Sequence, residues 1–366
     1  MNEVKSKKVV VAMSGGVDSS VAAYLLKEKG YEVIGISLQL YDQTCYTGKD
    51  FGTCCSISDI KDARRVASKL GIPFYVANFE KEFREEVIEH FLDEYFSGRT
   101  PNPCILCNRK IKFKYLLKRA MEIGASYLAT GHYAQIVKDE KNGEYLLKKG
   151  VDKNKDQSYF LAGIGQDILQ KLIFPVGNLK KNEVREIAKK GKLPVWEKRE
   201  SQEICFVPSN NYREFLKKER PHSTGKAGNI VTSDGKVIST HKGIENYTIG
   251  QRRGLGIAAG KPLYVIRINT KKNEIVVGSK EELYKRELVV RNLIWHSKKD
   301  IPNKGDKVEI KYRYRSSSAP AEIVSLSKDK LNARFTTPQK SLTPGQEAVF
   351  YRGDMVLGAG TIEEAK

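Results

Sequence analysis

The stretch TPNPCILCNRKIKF sets Cys104 and Cys107 three positions apart, next to Pro101 and Pro103 and ahead of a basic, helix-forming run. Two thiols at that spacing can hold a metal, form a redox pair, or be one reactive thiol beside a bystander. A four-ligand zinc site usually needs a second matched pair. The chain offers only the adjacent Cys54 and Cys55, and its five histidines show no ligand spacing. Cys205, in SQEICFVP, is surrounded by Ile204, Phe206 and Val207, and on that local evidence it reads as a buried apolar thiol. Cys45, Cys54 and Cys55 read as incidental small thiols.

The second constellation is VVVAMSGGVDSSVAAYLL, residues 9 to 26. A buried strand runs into Ser14, Gly15 and Gly16, and a helix starts directly after them. Two glycines let the backbone approach an anion, and a helix start presents unsatisfied N–H groups with a positive dipole. The Lys-Ser/Thr of the Walker pattern is missing, so transfer of a terminal phosphoryl group is not the natural reading. Ser14, Ser19 and Ser20 can bind oxygens, and the Asp18 carboxylate can hold a magnesium ion on the phosphates. The plainer reading, in which Asp18 or Ser19 merely caps a helix, suits a bare Gly-Gly better than SGGVDSS on a strand-to-helix turn.

The elements that must position these residues alternate through the first two hundred positions. Strand-like runs at residues 8–13, 31–40, 72–79 and 126–133 are separated by helix-like runs, among them one from about Ser19 to Lys29 and one from about Asn108 to Ile123. Such alternation predicts a doubly wound α/β domain, a parallel sheet covered by helices on both faces. After Pro208, past a short helix around NYREFLKKE, strand-sized runs with turn signals dominate and predict a small β-rich central domain and then a β-barrel. The expected domains are 1–207, 208–280 and 281–366.

A chain of 366 residues with 40% hydrophobic composition can bury sizeable cores. Its formal charge of +20, from 64 basic and 44 acidic residues, favours attraction to a polyanion. No long basic amphipathic helix suits a bilayer surface, so the polyanion expected is nucleic acid rather than membrane. The start MNEVKSKKVVVAM reads as a first strand and not a signal peptide, and no run of eighteen apolar residues occurs. The expected location is the reducing cytoplasm, with thiols that are reduced, metal-bound or catalytic.

SGGVDS resembles the signature of the PP-loop ATP pyrophosphatases, which cleave ATP between the alpha and beta phosphates and leave AMP on a substrate oxygen. TPNPCILCNRKIKF, then ATGHYA at 129–134, DQSYFL at 156–161, SQEICFVP at 201–208 and TPGQEAVFY at 343–351 follow in order. Together they resemble the bacterial tRNA-uridine 2-sulfurtransferases over essentially the whole chain. The resemblance implies an adenine nucleotide alpha hydrolase-like first domain and 2-thiolation of the wobble uridine of tRNA.

It further implies ATP bound at Ala12, Met13, Ser14, Gly15, Gly16, Val17, Asp18 and Ser19, with Leu38 and Gly131 beside the adenosine. Cys107 becomes the nucleophile and Cys205 the carrier of a persulfide. Asn102, Pro103 and Cys104 would meet the target base, and His132, Lys155, Asp156, Gln157, Arg313, Tyr314 and Gln346 would contact tRNA. Cys104 stands where that family commonly has Asp, and a thiol is a poorer hydrogen-bonding partner than a carboxylate. In KYRYR, Lys311, Arg313 and Arg315 would share one face of a strand and offer cations to phosphates. The cofactors expected are ATP and magnesium, with no tightly bound metal; the partners are tRNA and an upstream persulfide donor, a cysteine desulfurase or sulfur-relay protein.

Three rival readings remain open on the sequence. An iron-sulfur cluster on Cys104, Cys107 and Cys205 could carry sulfur on the same scaffold. A nonenzymatic, metal-stapled protein could bind tRNA without consuming ATP. Another PP-loop ligase could adenylate a small substrate and add nitrogen.

Overall fold

The computed structural model describes residues 7–41, 56–199, 204–207, 211–223, 225–257 and 260–366. Cys45, Cys54 and Cys55 lie outside the described residues, as do 200–203 and 208–210 on either side of Cys205. The chain divides into two compact units, one of residues 1–87, 104–210 and 354–356, the other of residues 88–103, 211–353 and 357–366.

The first unit carries β1 (Lys8–Ala12), β2 (Glu32–Gln39), β3 (Phe74–Asn78), β4 (Tyr127–Ala129), β5 (Ala134–Lys138), β6 (Tyr145–Lys149) and β7 (Leu172–Ile173). Five of them form the expected parallel sheet in the order β3-β2-β1-β4-β7. β1 is central because KVVVA supplies an unbroken β-branched run, and Val9, Val10 and Val11 are fully buried. Burying each such side chain is worth about 1.5–3 kcal/mol. β5 and β6 form an antiparallel hairpin, against which Met355 pairs with Lys148.

Three helices set the site. α1 (Val17–Glu28) buries Val17, Val21, Ala22, Ala23 and Leu26 in the sheet's main core. α2 (Ile57–Leu70) starts at a reciprocal cap in which Ser56 Oγ accepts from Asp59 N and Ser56 N donates to Asp59, and it ends at Gly71 in the left-handed region. α3 (Lys181–Lys190) sends Val184 and Ala188 into the same core as α1. A further helical run, Pro103–Leu106 followed by a π-helical stretch Cys107–Leu116, carries the thiol motif.

The second unit holds the β-rich parts. β8 (Gly228–Thr232), β9 (Val237–His241), β10 (Tyr264–Asn269) and β11 (Glu274–Gly278) make a four-stranded sheet around Ile230, Val265, Ile275 and Val277. It is mixed, since β8 and β11 pair in parallel while the two outer pairs are antiparallel. β12 (Tyr284–Trp295), β13 (Lys307–Lys311), β14 (Ala319–Leu326), β15 (Lys330–Lys340), β16 (Glu347–Arg352) and β17 (Met355–Ala365) close through β12–β17 pairing into the expected barrel. Closure removes the exposed sheet edge, and Ile310, Ile323, Leu331, Phe335 and Phe350 fill the interior. No helix among the described residues is long and apolar enough to cross a membrane.

Candidate active site

The C-terminal edge of the parallel sheet, where open α/β sheets bind ligands, gathers the chemistry-bearing segments of the first unit. β1 ends at Ala12, and Met13 seals the edge: its N–H donates to Ile36 O at 2.8 Å and its carbonyl accepts Ser37 Oγ at 2.5 Å. Gly15 then turns the chain at φ +71°, and a Cβ there would collide with the Asp59 carbonyl at the start of α2. Turn and contact both require glycine, a second reason for it beside approach to an anion. Gly16 is the N-cap of α1 and brings no side-chain cap, so the first N–H groups and the positive helix end face outward.

The hydroxyls divide between shaping the loop and facing out of it. Ser20 Oγ donates to Gly16 O at 2.8 Å, and Ser19 Oγ donates to the same carbonyl at 3.2 Å while accepting Ser14 N–H at 3.2 Å. Ser19 and Ser20 are buried, whereas Ser14 is exposed with its Oγ 3.3 Å from Ser19 Oγ. Met13 and Val17 are buried beneath the loop.

Asp18 has partners that the sequence does not announce. Lys181 Nζ, at the start of α3, donates to both carboxylate oxygens at 2.7 and 2.8 Å, and Tyr133 OH donates to Oδ1 at 2.6 Å. The carboxylate expected to hold magnesium is thus already engaged by a cation of the chain. No group of three or more His, Cys, Asp or Glu among the described residues could hold a metal ion. Gly131 lies against the same turn, where a Cβ would come 2.5 Å from Ser19 N and 2.6 Å from the Asp18 carbonyl carbon. Leu38 is buried on β2, paired with Ala77 of β3.

Behind Tyr133 stands the segment Lys155–Asp156–Gln157. Gln157 Oε1 accepts Tyr133 N–H at 2.9 Å, and Gln157 N–H donates to Tyr133 O at 2.8 Å. Asp156 is buried and accepts from Gly150 N, Ser158 N and Ser158 Oγ at 3.0, 3.1 and 2.9 Å. Asp156 and Gln157 therefore serve the fold, organising the loop that orients the Asp18 partner, while Lys155 is half-buried. His132 sits at the end of β4 with Nδ1 2.6 Å from Thr130 Oγ1 and its ring against Phe113 and Phe174. Enclosure by these groups, with nearby Lys112 adding to it, holds its pKa well below the ordinary imidazole value.

The thiols occupy three different settings. Cys104 is exposed and Cys107 buried, so the spacing that joins them in sequence separates them in environment. Cys107 opens the π-helical stretch; its neighbour Asn108 donates to Phe160 O at 3.2 Å and accepts Lys112 Nζ at 2.8 Å. Phe113 of that stretch packs on His132, which brings the Cys107 helix to the end of β4. Cys205 is half-buried in a short turn, its carbonyl accepting Tyr41 OH at 2.5 Å just beyond β2, and Phe206 anchors the turn edge-on against Phe83 at 5.5 Å. Tyr41, like Lys181, carries no local sequence signal.

In the second unit Asn102 is half-buried and Pro103 buried. KYRYR does not form the expected alternating face: β13 ends at Lys311 and the chain turns through Arg313–Ser316. The reason is Tyr312, which is buried against Phe335 and donates to Gln339 Oε1 at 3.2 Å. Arg313 Nη2 donates to Ser341 O at 2.5 Å and Thr343 Oγ1 at 2.9 Å, and Lys311 lies over the Tyr314 ring. Gln346 Nε2 donates to Thr100 O at 2.7 Å and Pro101 O at 3.2 Å.

Comparison with known proteins places the whole chain. The family described as the tRNA methyl transferase HUP domain matches residues 7–209, the tRNA methyl transferase PRC-barrel domain residues 213–279, and the aminomethyltransferase beta-barrel domain residues 285–362. The tRNA-specific 2-thiouridylase MnmA of Carboxydothermus hydrogenoformans is 49% identical over 367 residues, covering 100% of both chains. That of Geotalea uraniireducens is 52% identical, covering 99% of this chain and 96% of its own. A solved 4-thiouridine synthetase–RNA complex with bound ATP aligns with 59% of this chain and 51% of its own at 18% identity and a TM-score of 0.36. Identity near one half, end to end across all three matched regions, assigns the chain to the MnmA family of tRNA-specific 2-thiouridylases.

Proposed function

We propose that this protein is an ATP-dependent tRNA-uridine 2-sulfurtransferase that thiolates the wobble uridine. The observation that carries the reading is the uncapped start of α1 behind a glycine turn, on the sheet edge that also carries the Cys205 turn and the helix of Cys107. Such a loop suits the phosphates of ATP, bound along Ala12–Ser19 with Leu38 and Gly131 nearby. The Asp18 carboxylate is the loop's candidate for magnesium and is paired with Lys181, so the steps below run through the chain's own groups.

In the reaction the uridine C2 oxygen displaces pyrophosphate from ATP and becomes adenylated. The Cys107 thiolate attacks the Cys205-bound sulfur of a persulfide, that S–S bond breaks, and the terminal sulfur departs with the bonding pair as hydrosulfide. Hydrosulfide adds at C2 and AMP leaves with the former carbonyl oxygen. The resulting Cys107–Cys205 disulfide takes two electrons and two protons from an external reductant to return to thiols. An upstream protein supplies the persulfide, and the tRNA is met by Asn102, Pro103, Cys104, His132, Lys155, Arg313 and Tyr314, with the target base turned out of its stack. The domain ranges 1–207, 208–280 and 281–366 belong to this proposal.

The test incubates the purified chain with ATP, magnesium, unmodified tRNA and a persulfide source. AMP, pyrophosphate and 2-thiouridine are expected in equal amounts. The absence of tRNA-dependent AMP overturns the reading. Iron and labile sulfide in anaerobically purified protein, stoichiometric with chain, would instead favour the cluster-bearing relative of this mechanism.

A further inference from the structure

Gln346 stands in the turn between β15 and β16, and its side chain is directed at a distant stretch of the same unit. Besides its two bonds to Thr100 O and Pro101 O, the turn receives Thr100 N–H on Pro344 O at 2.9 Å. Three hydrogen bonds thus hold residues 100–101 from one turn. The turn is itself braced, with Gln346 N on Thr343 O at 3.2 Å, Gly345 N on Ile362 O at 2.9 Å and Ile362 N on Gln346 O at 2.8 Å. Arg313 ties in through Thr343 Oγ1, and on the other side Arg99 is paired with Glu94. Between the latch and Cys104 lie only Asn102 and two prolines at 101 and 103, whose fixed φ leaves little freedom to absorb a shift.

We infer that Gln346 is a positioning residue: its amide latches Thr100 and Pro101 and thereby fixes the Asn102–Pro103–Cys104 segment that meets the target uridine. The inference rests on the thiolation reading for its effect on rate, and on geometry alone for the latch. A primary amide is the group required, because two carbonyl oxygens need one nitrogen with two hydrogens. Arg313 joins the same network, so a tRNA phosphate engaging that guanidinium would be felt at the segment through Thr343 and the turn.

Two variants test this. Gln346→Met keeps length and packing without donors, and Gln346→Glu keeps shape but faces two carbonyls with an anion. Each is compared with the parent chain for tRNA binding by filter retention, for single-turnover thiolation, and for amide hydrogen exchange over residues 98–106. The expected result is a rate lower by about 10- to 100-fold, the loss that misplacement of a reacting group brings. Binding should stay within about twofold, and exchange at the Thr100 amide should accelerate by about tenfold or more. Weakened tRNA binding at an unchanged rate would make Gln346 a direct RNA contact and overturn the inference, as would unchanged exchange. Loss of the folded state in both variants would reduce the contact to general stability and overturn it too. If the parent chain itself fails to thiolate, the thiolation reading falls while the exchange measurement still decides the latch.

Discussion

Asp18, Lys181 and Tyr133 constrain one another at the mouth of the phosphate loop, and their joint charge matters more than any one of them. A carboxylate alone beside a triphosphate would repel it; paired with Lys181, the site presents a hydrogen-bonded cation at the helix end. Lys181→Met should therefore raise the KM for ATP by roughly 10- to 100-fold, the range for a lost hydrogen bond to a charged group. An unchanged KM in steady-state AMP release would refute that. Cys107→Ser and Cys205→Ser should each abolish multiple-turnover thiolation while tRNA binding persists, and near-normal turnover in either rejects the two-thiol relay. His132 gives a pH signature: its folded pKa lies below the unfolded value of about 6.5, so below pH 6.5 the unfolded chain binds the proton first and stability falls. In His132→Asn the drop in Tm between pH 7 and the acid side should shrink, and an undiminished drop would locate the acid sensitivity elsewhere. The SGGVDS loop is legible in the sequence because its strand, turn and helix are consecutive residues. Lys181 and Tyr133 are not, since their partner lies 163 and 115 positions away and no local periodicity records it.

Elements carry the next level of constraint. The first turn of α1 is packed on both sides, by α2 through Gly15 and by Gly131. Gly131→Ala should push that turn outward, lowering ATP affinity together with Tm, which isothermal titration and thermal unfolding would separate from a purely local defect. Gly15→Ala adds a positive φ to a backbone collision, and the strain of such a conformation alone is about 1–3 kcal/mol. Retention of parental stability would show that the turn can be rebuilt. The parallel sheet and its helices are legible from alternation of apolar runs, because β1 is buried on both faces and reads as continuous valine. KYRYR misleads for a physical reason: alternating charge and aromatic residues suit a strand, but burial of Tyr312 and the two acceptors offered to Arg313 turn the chain after Lys311. Gln346 likewise reads as a surface amide in TPGQ, and only tertiary contact reveals its two carbonyl partners.

At the scale of the molecule, a formal charge of +20 makes tRNA affinity a function of ionic strength. If the protein neutralises six or more phosphates, raising salt from 50 to 200 mM should weaken binding by about 10³-fold or more, and a flat salt dependence would refute a phosphate-led interface. The two units are interleaved along the chain, and residues 354–356 belong with the first of them: Met355 pairs with Lys148, and Lys149 N–H donates to Asp354 O at 2.9 Å. That arrangement sets a schedule for biosynthesis. At roughly 5–20 residues per second, the ribosome takes about 10–40 s to make the roughly 200 residues between Lys149 and Asp354. Throughout that interval the β5–β6 hairpin waits with an unpaired edge, so the nucleotide-binding half of this protein cannot be completed until its last few residues have been translated.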